Sequence, residues 1–165
     1  ALAELFLNGK SLGVRKMDAS RQIVWNVPYQ PGTLTAIARN DGKIAAEAQV
    51  STAGKPAAIQ LLADKEQASA NKLDVIHVEV NIIDKNGHIA PESDNLVEFG
   101  IRGPGKIIGV ENGDITDFSS MKAHRRKAFK GKCLVMIQTT DQPGKIRLKA
   151  SSQGLDDATV QILSR

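Results

Sequence analysis

Side chains capable of chemistry occur throughout the sequence, but their spacing does not form a catalytic site. The three histidines are scattered and show no zinc-ligand spacing: His77, His88 and His124. The neighbouring carboxylates of Asp156 and Asp157 lie beside a predicted strand and would point to opposite faces, which is unsuitable for an acid–base pair. The single cysteine, Cys133, begins an apolar run and is predicted to be a small buried side chain. We therefore predict no catalytic residue, no metal and no cofactor.

One segment resembles a nucleotide-binding loop. Residues Gly100 to Lys106 fit the first seven positions of the P-loop pattern, but the eighth is Ile107, where a hydroxyl group would bind magnesium. A P-loop is followed by a helix whose amides face the phosphate, whereas residues 106–110 read as a strand. The segment is predicted to be a hairpin turn.

A basic run extends over residues 122–132, with six lysines or arginines and one histidine in eleven positions. Such a run could bind phosphate or an acidic polysaccharide. A nucleic-acid site also needs stacking aromatic rings, and only Phe129 lies here. The acidic residues just upstream could neutralise the run: Glu111, Asp114 and Asp117. We predict an internally paired or solvated loop and, with a net charge of only +4, no nucleic-acid partner.

Trp25 and Tyr29 are the aromatic residues that could form a flat platform for a sugar ring. Trp25 shares an alternating face with Ile23 and Val27, which favours core packing for both aromatic residues. Contact with carbohydrate is the alternative, and these two residues are its only candidates.

The elements that would position these residues are predicted to be almost entirely β-strands. Apolar residues alternate with polar ones, as in strands with one buried face, in three clear stretches: 23–27, 76–82 and 146–150. Turn pairs such as Asn8-Gly9 and Asn86-Gly87 separate the stretches. Short helical turns could occur only near 64–72 and 115–128. No apolar run approaches the roughly 20 residues of a membrane span, so no membrane partner is expected. The fold class is all-β, with two consecutive immunoglobulin-like antiparallel β-sandwiches.

A domain boundary is predicted near residues 51–56, where Ser, Gly and Pro accumulate. It gives a small domain at 1–54 with about five strands and an immunoglobulin-sized domain at 55–165 with about seven. The chain begins within an apolar segment and without methionine, so we expect a piece of a longer protein, truncated on the N-terminal side of the first domain. An edge left unpaired by that truncation could support a homodimer.

Several linked stretches resemble the C-terminal accessory domains of bacterial β-galactosidases of glycoside hydrolase family 2. The stretches are residues 4–13, 25–34, 55–59, 103–107, 110–114, 126–135 and 150–155. Members of this family hydrolyse β-galactosides or related glycosides with two glutamates on a TIM barrel. A barrel needs about 250 residues, and no glutamate of this sequence matches a catalytic motif of the family.

The resemblance therefore implies a non-catalytic C-terminal fragment whose partner is the catalytic barrel of the parent chain. Relatives that degrade glycans suggest a periplasmic or exported parent, by analogy alone. Two alternatives stay open. The first is a carbohydrate-binding module acting through Trp25 and Tyr29. The second is an adhesin-like interaction module, because the second half also resembles invasin-type immunoglobulin-like domains.

Overall fold

The computed structural model describes residues 2–165, which contain thirteen β-strands and no helix. The strands are β1 (Leu2–Leu7), β2 (Lys10–Lys16), β3 (Thr33–Asn40), β4 (Lys43–Ser51), β5 (Pro56–Ala63), β6 (Gln67–Ala68), β7 (Val75–Asp84), β8 (Leu96–Arg102), β9 (Gly105–Glu111), β10 (Arg125–Lys127), β11 (Lys132–Thr139), β12 (Gly144–Ser151) and β13 (Ala158–Ser164). The all-β prediction is confirmed.

The chain divides into two compact units, unit 1 (Ala1–Thr52) and unit 2 (Ala53–Arg165). Unit 1 contains one antiparallel sheet in the order β2-β1-β3-β4. Two of its strand pairs close through the predicted type of tight turn, because Asn8-Gly9 and Asp41-Gly42 both have positive φ angles. No residue between 2 and 52 is fully buried. Unit 1 therefore has little core of its own.

The strand predicted at Ile23–Val27 is wrong. Residues 17–32 form no strand, although Ile23, Trp25 and Val27 are partly buried and the residues between them are exposed. An extended chain alternates its side chains whether or not it is paired, so the period-two pattern remains without a ladder. Pro28 and Pro31 lack an N–H to donate, which disfavours continuous pairing here.

Unit 2 is built from two sheets, one of five strands (β10-β8-β12-β13-β6) and one of four (β5-β7-β11-β9). All pairs are antiparallel except β6 with β13. The core contains the alternating apolar residues of the long strands: Ile76, Val78, Val80, Ile82, Val97, Phe99, Val135, Ile137, Ile146, Leu148, Ala150 and Ile162. The inward faces predicted for 76–82 and 146–150 are thus confirmed. Asn81 departs from the pattern, because it is buried and donates to Gln60 Oε1 at 3.2 Å.

The segment at Gly100–Lys106 is followed by a strand, as expected, but the predicted hairpin is wrong. β8 and β9 belong to different sheets, so the turn carries the chain from one sheet to the other. Gly103 has a φ of +94°, and a Cβ atom there would overlap the carbonyl oxygen of Lys145. A turn signal in the sequence specifies a reversal of the chain, but not the sheet that the next strand joins.

Candidate functional site

Trp25 is held in unit 1 by an arginine that the sequence analysis did not single out. The guanidinium of Arg15 lies 5.6 Å from the centre of the Trp25 ring, within cation–π range. The same guanidinium donates from Nη1 to the carbonyl of Val24 at 2.6 Å. Trp25 is partly buried, and its Nε1 is enclosed without a hydrogen-bond acceptor. Arg15 therefore contacts one face of the Trp25 ring.

Tyr29 does not occupy the core position that the sequence pattern favoured. Its side chain is 80% exposed, so core packing is wrong for this residue. The physical reason is the absence of a strand at 23–29, since no partner strand covers the side chains beyond Val27. Tyr29 is thus an exposed aromatic side chain four residues from the partly buried Trp25.

The basic run at 122–132 forms an internal network in which Arg126 is the centre. Arg126 is only 1% exposed. Its Nη1 donates to the carbonyl and to the hydroxyl of Ser119, both at 3.0 Å, and its Nη2 donates to Asn112 Oδ1 at 3.1 Å. Its Nε lies 3.3 Å from Asp117 Oδ2. This pairing agrees with the predicted neutralisation by upstream carboxylates.

The electrostatics of this network stabilise the ionised form of Asp117. Hydrogen bonds from Ser119 contribute most, followed by Asn112 and the charge of Arg126, and together they hold the pKa of Asp117 below its ordinary value. Elsewhere in the run, Lys127 pairs with Asp94 at 3.0 Å and Lys132 with Glu79 at 2.7 Å. Several cations of the run are therefore already neutralised within the chain.

A groove of about 440 Å³ lies beside the network, lined by Leu96, Asp117, Ser119, Ser120, Ala123, Arg125, Arg126 and Lys127. Several of its polar groups already have partners within the chain, since Asp117 and Ser119 contact Arg126, and Lys127 pairs with Asp94. Arg125 also lines the groove and is exposed.

The remaining titratable residues are dispersed. His77 and His88 each contact one aspartate, Asp64 and Asp84 respectively, at 3.4 Å. Among residues 2–165 there is no group of three or more His, Cys, Asp or Glu side chains that could hold a metal ion. The described part of the chain also includes no helix long and apolar enough to cross a membrane. Cys133 is buried, and burial raises the pKa of its thiol to about 12, so it is no nucleophile.

Comparison with known proteins places this arrangement in a family. Residues 59–161 match the family described as glycoside hydrolase family 2 C-terminal domain 5. The chain belongs to glycoside hydrolase family 2. Residues 2–46 match a second family, described as a domain of unknown function. The resemblance noted from the sequence motifs is therefore confirmed.

Individual family 2 proteins show how the chain relates to its relatives. A β-galactosidase of Bacteroides ovatus, BoGH2A, is 45% identical over 160 residues, which are 96% of this chain and 19% of that protein. A β-galactosidase of Thermoanaerobacter pseudethanolicus is 35% identical over 120 residues, 73% of this chain and 14% of that protein. The crystal structure of a β-glycosidase from Bacteroides vulgatus superposes with a TM-score of 0.94 at 33% identity, covering 98% of this chain and 21% of that one.

The chain thus spans about a fifth or less of the length of these family 2 proteins. It corresponds to a C-terminal accessory portion of a glycoside hydrolase, as predicted.

Proposed function

We propose that this chain forms non-catalytic structural domains of a β-galactosidase-like glycoside hydrolase that acts in carbohydrate degradation. Its partner is a TIM-barrel catalytic domain elsewhere in the same polypeptide. The observation that supports this most is the match across 96% of the chain to the β-galactosidase of Bacteroides ovatus, of which the chain covers only 19%.

The carboxyl groups support a structural role. A glycosidase needs one carboxyl group with a raised pKa to act as the acid, opposite a second carboxylate. Seven carboxyl groups have a lowered pKa instead: Asp18, Asp74, Glu79, Asp84, Asp94, Asp117 and Asp141. Hydrogen bonds from the protein cause these shifts. The groups are thus tied into turns and ion pairs.

The test compares the 165-residue chain with the complete polypeptide that contains it, using a chromogenic aryl β-galactoside. We expect hydrolysis by the complete polypeptide and none by the chain. Hydrolysis by a clean preparation of the chain would overturn the proposal, because it requires a catalytic pair within these residues. An aryl β-glucuronide in parallel reports the sugar preference of the parent.

We also propose that the domains are residues 1–54 and 55–165, the second being immunoglobulin-like. The compact units Ala1–Thr52 and Ala53–Arg165 support a division in this region. Limited proteolysis that releases a stable fragment starting near residue 55 is the expected result. Cleavage first inside β7 or β11 would contradict it.

A second candidate function is carbohydrate contact at Trp25 and Tyr29. The exposed Tyr29 ring and the nearby Trp25 ring in contact with Arg15 support it, because aromatic side chains combine a large apolar surface with few rotatable bonds. Trp25 is the only tryptophan, so its fluorescence reports the site directly. We expect galacto-oligosaccharides to change this fluorescence in the native chain but not in Tyr29→Ala. Phe118→Ala is the matched control with an exposed aromatic residue elsewhere, and a flat titration of the native chain would overturn the candidate.

Self-association of the isolated chain through a sheet edge of unit 1 is a further proposal. β1 is paired on both sides by β2 and β3, so the first strand leaves no free edge. The edge strands of unit 1 are β2, where Val14 is exposed, and β4, where Ile44 and Val50 are exposed. Lys43 and Glu47 on β4 oppose edge pairing. Light scattering over a concentration series tests this, and a strict monomer would exclude it.

A further inference from the structure

The loop between β9 and β10, residues 112–124, exposes three large apolar side chains. Phe118 is 94% exposed, Ile115 92% and Met121 56%, the first two being the most exposed large apolar residues described. We call these three residues the apolar tip. Single exposed apolar residues are common on protein surfaces, whereas three on one short loop favour an interaction surface.

The apolar tip stands on a loop with a fixed backbone. The amide of Val110 donates to the carbonyl of Met121 at 2.8 Å, which closes the base of the loop. Within the loop, Asp114 accepts from the amide of Thr116 and Asp117 from the amide of Ser119, both at 2.9 Å. These side-chain caps satisfy backbone groups that would otherwise favour alternative conformations.

Asn112 and Arg126 connect this loop to the core of unit 2. Asn112 Nδ2 donates to Asp117 Oδ2 at 2.9 Å and to the carbonyl of Lys127 at 3.1 Å. The buried Arg126 donates hydrogen bonds to the carbonyl of Ser119 and to Asn112 Oδ1. These bonds restrain the backbone on both sides of Phe118, whose side chain is exposed together with that of Ile115. Such pre-organisation reduces the entropy lost when a partner binds.

We propose that the apolar tip docks onto the catalytic portion of the same polypeptide and acts as an anchor between that portion and unit 2. The inference rests on the proposed function, since it needs a parent chain with a catalytic domain. The length of the relatives supports such a partner. This chain covers 19% of the Bacteroides ovatus β-galactosidase, so most of a polypeptide of that length lies outside the chain.

The size of the tip favours a tethered partner over a separate protein. A stable complex between free proteins buries about 800 Å² on each side, more than three side chains supply. A covalently connected domain meets the tip at a high effective concentration, so a small contact suffices. The interfaces between domains of one chain are correspondingly modest.

The chemistry of the tip favours protein over sugar. Carbohydrate sites combine aromatic rings with nearby free hydrogen-bonding groups. Here Ile115 and Met121 accompany Phe118, and the polar groups of Asp114 and Asp117 are already used within the loop. An aromatic and aliphatic cluster is typical of the buried centre of a protein interface.

Hydroxyl-radical footprinting of the 165-residue chain and of the complete polypeptide tests the proposal. Leu73 is the matched control, a large apolar residue that is 78% exposed on a different loop. In the complete polypeptide we expect oxidation of Phe118 and Met121 to fall roughly tenfold, following the loss of exposed area. Leu73 should react equally in both. Equal oxidation of Phe118 in the two proteins would overturn the proposal.

Two other outcomes would also overturn it. Protection of Phe118 that appears only with added galacto-oligosaccharide would assign the tip to sugar. Protection that rises with protein concentration in the isolated chain would assign it to a second copy. The aryl β-galactoside assay on the same samples separates the two proposals. If the complete polypeptide is active but its Phe118 is oxidised as in the isolated chain, docking is contradicted and the β-galactosidase assignment is not. If the polypeptide is inactive but its Phe118 is protected, the β-galactosidase assignment is contradicted and docking is not.

A variant provides a second readout. Ile115→Ser with Phe118→Ser changes only exposed side chains, so the isolated chain should keep its melting temperature. In the complete polypeptide we expect the double variant to lower the melting temperature, or to separate unit 2 in limited proteolysis, whereas Leu73→Ser changes neither. Identical behaviour of the two variants in the complete polypeptide would contradict docking.

Discussion

At the scale of single residues, Arg126 determines the conformation of the loop that follows β9. Its guanidinium is enclosed and bonded to Ser119 and Asn112 beside Asp117. Removing the guanidinium takes a buried donor from the carbonyl of Ser119 and from Asn112 Oδ1. We predict that Arg126→Met lowers the free energy of unfolding by about 2 kcal/mol, within the range for buried polar groups left without a partner. Urea unfolding measures the change.

The neighbouring arginine gives the control for this prediction. Arg125 lies on the same strand, β10, but is exposed. Arg125→Met should change stability by less than about 0.5 kcal/mol, as is usual for surface substitutions. Arg126→Lys keeps the charge but not the planar fork, so it should fall between the two. Equal effects at the two positions would show that Arg126 does not anchor the loop.

Cys133 gives a second prediction at this scale. Burial raises the pKa of its thiol to about 12, and only the thiolate reacts with alkylating reagents. We predict no labelling by iodoacetamide at pH 8 in the native chain and complete labelling in denaturant. Rapid native labelling would show that the sheet around β11 opens, contrary to the closed core.

At the scale of elements, Asp84 connects the end of β7 to the turn after it and to the chain entering unit 2. Its carboxylate accepts from the amides of Gly54 at 2.7 Å, Asn86 at 2.8 Å and His88 at 2.9 Å. These bonds, with that from Gly54 the largest, lower the pKa of Asp84 from 3.8 to about 2. A lowered pKa in the folded state stabilises the fold above the unfolded value and loses that effect as pH falls.

We therefore predict that the Asp84 contribution to stability is complete above about pH 4 and disappears between pH 4 and 2. Asp84→Asn should lower the melting temperature by several degrees at pH 7 and by much less at pH 2. Asp64→Asn is the control, since Asp64 is exposed and bonded mainly to His77. A constant difference between native chain and Asp84→Asn at all pH values would contradict the assignment.

The strands also show how much of the fold could be predicted from the sequence alone. The strands β7 and β12 were predictable because one face of each is fully buried, which imposes strict alternation. The segment at 23–27 shows the same alternation without a strand, because pairing depends on partners that a local pattern does not contain. The predicted hairpin between β8 and β9 was wrong for the same reason.

The candidate site residues show the same limit of sequence analysis. Trp25 and Tyr29 could be identified from the sequence as candidates, but their burial could not be predicted, because residues 23–29 do not form the strand that their pattern indicated. Nor could a run of basic residues reveal which member is buried. Arg126 lies inside because β10 pairs with β8 in the register Arg126 to Val97, which directs every second side chain inward.

At the scale of the whole molecule, the two units differ in how much core each contains. Every fully buried residue between 2 and 165 belongs to unit 2. Its strands β7, β11 and β12 contain ten residues that are wholly inaccessible: Ile76, Val78, Val80, Ile82, Val135, Ile137, Thr139, Ile146, Leu148 and Ala150. In unit 1, β2 is exposed along its whole length, and β4 is exposed except at Ser51. Because burial of apolar surface is the main source of stability, the units should not unfold together.

We predict that hydrogen exchange separates the two units of the isolated chain. Amides in β7, β11 and β12 should exchange slowly, and those in β1 and β3 faster by roughly a thousandfold, since local opening of a sheet without buried contacts requires little free energy. Mass spectrometry of peptides from 2–52 and from 75–151 measures this directly. The comparison is internal, so it is independent of protein concentration and of labelling efficiency. Equal protection of both sets would mean that the chain unfolds as one cooperative unit. If the same peptides of unit 1 become protected in the complete polypeptide, the missing burial is supplied by the rest of the glycoside hydrolase, since only added contacts would slow the local opening there.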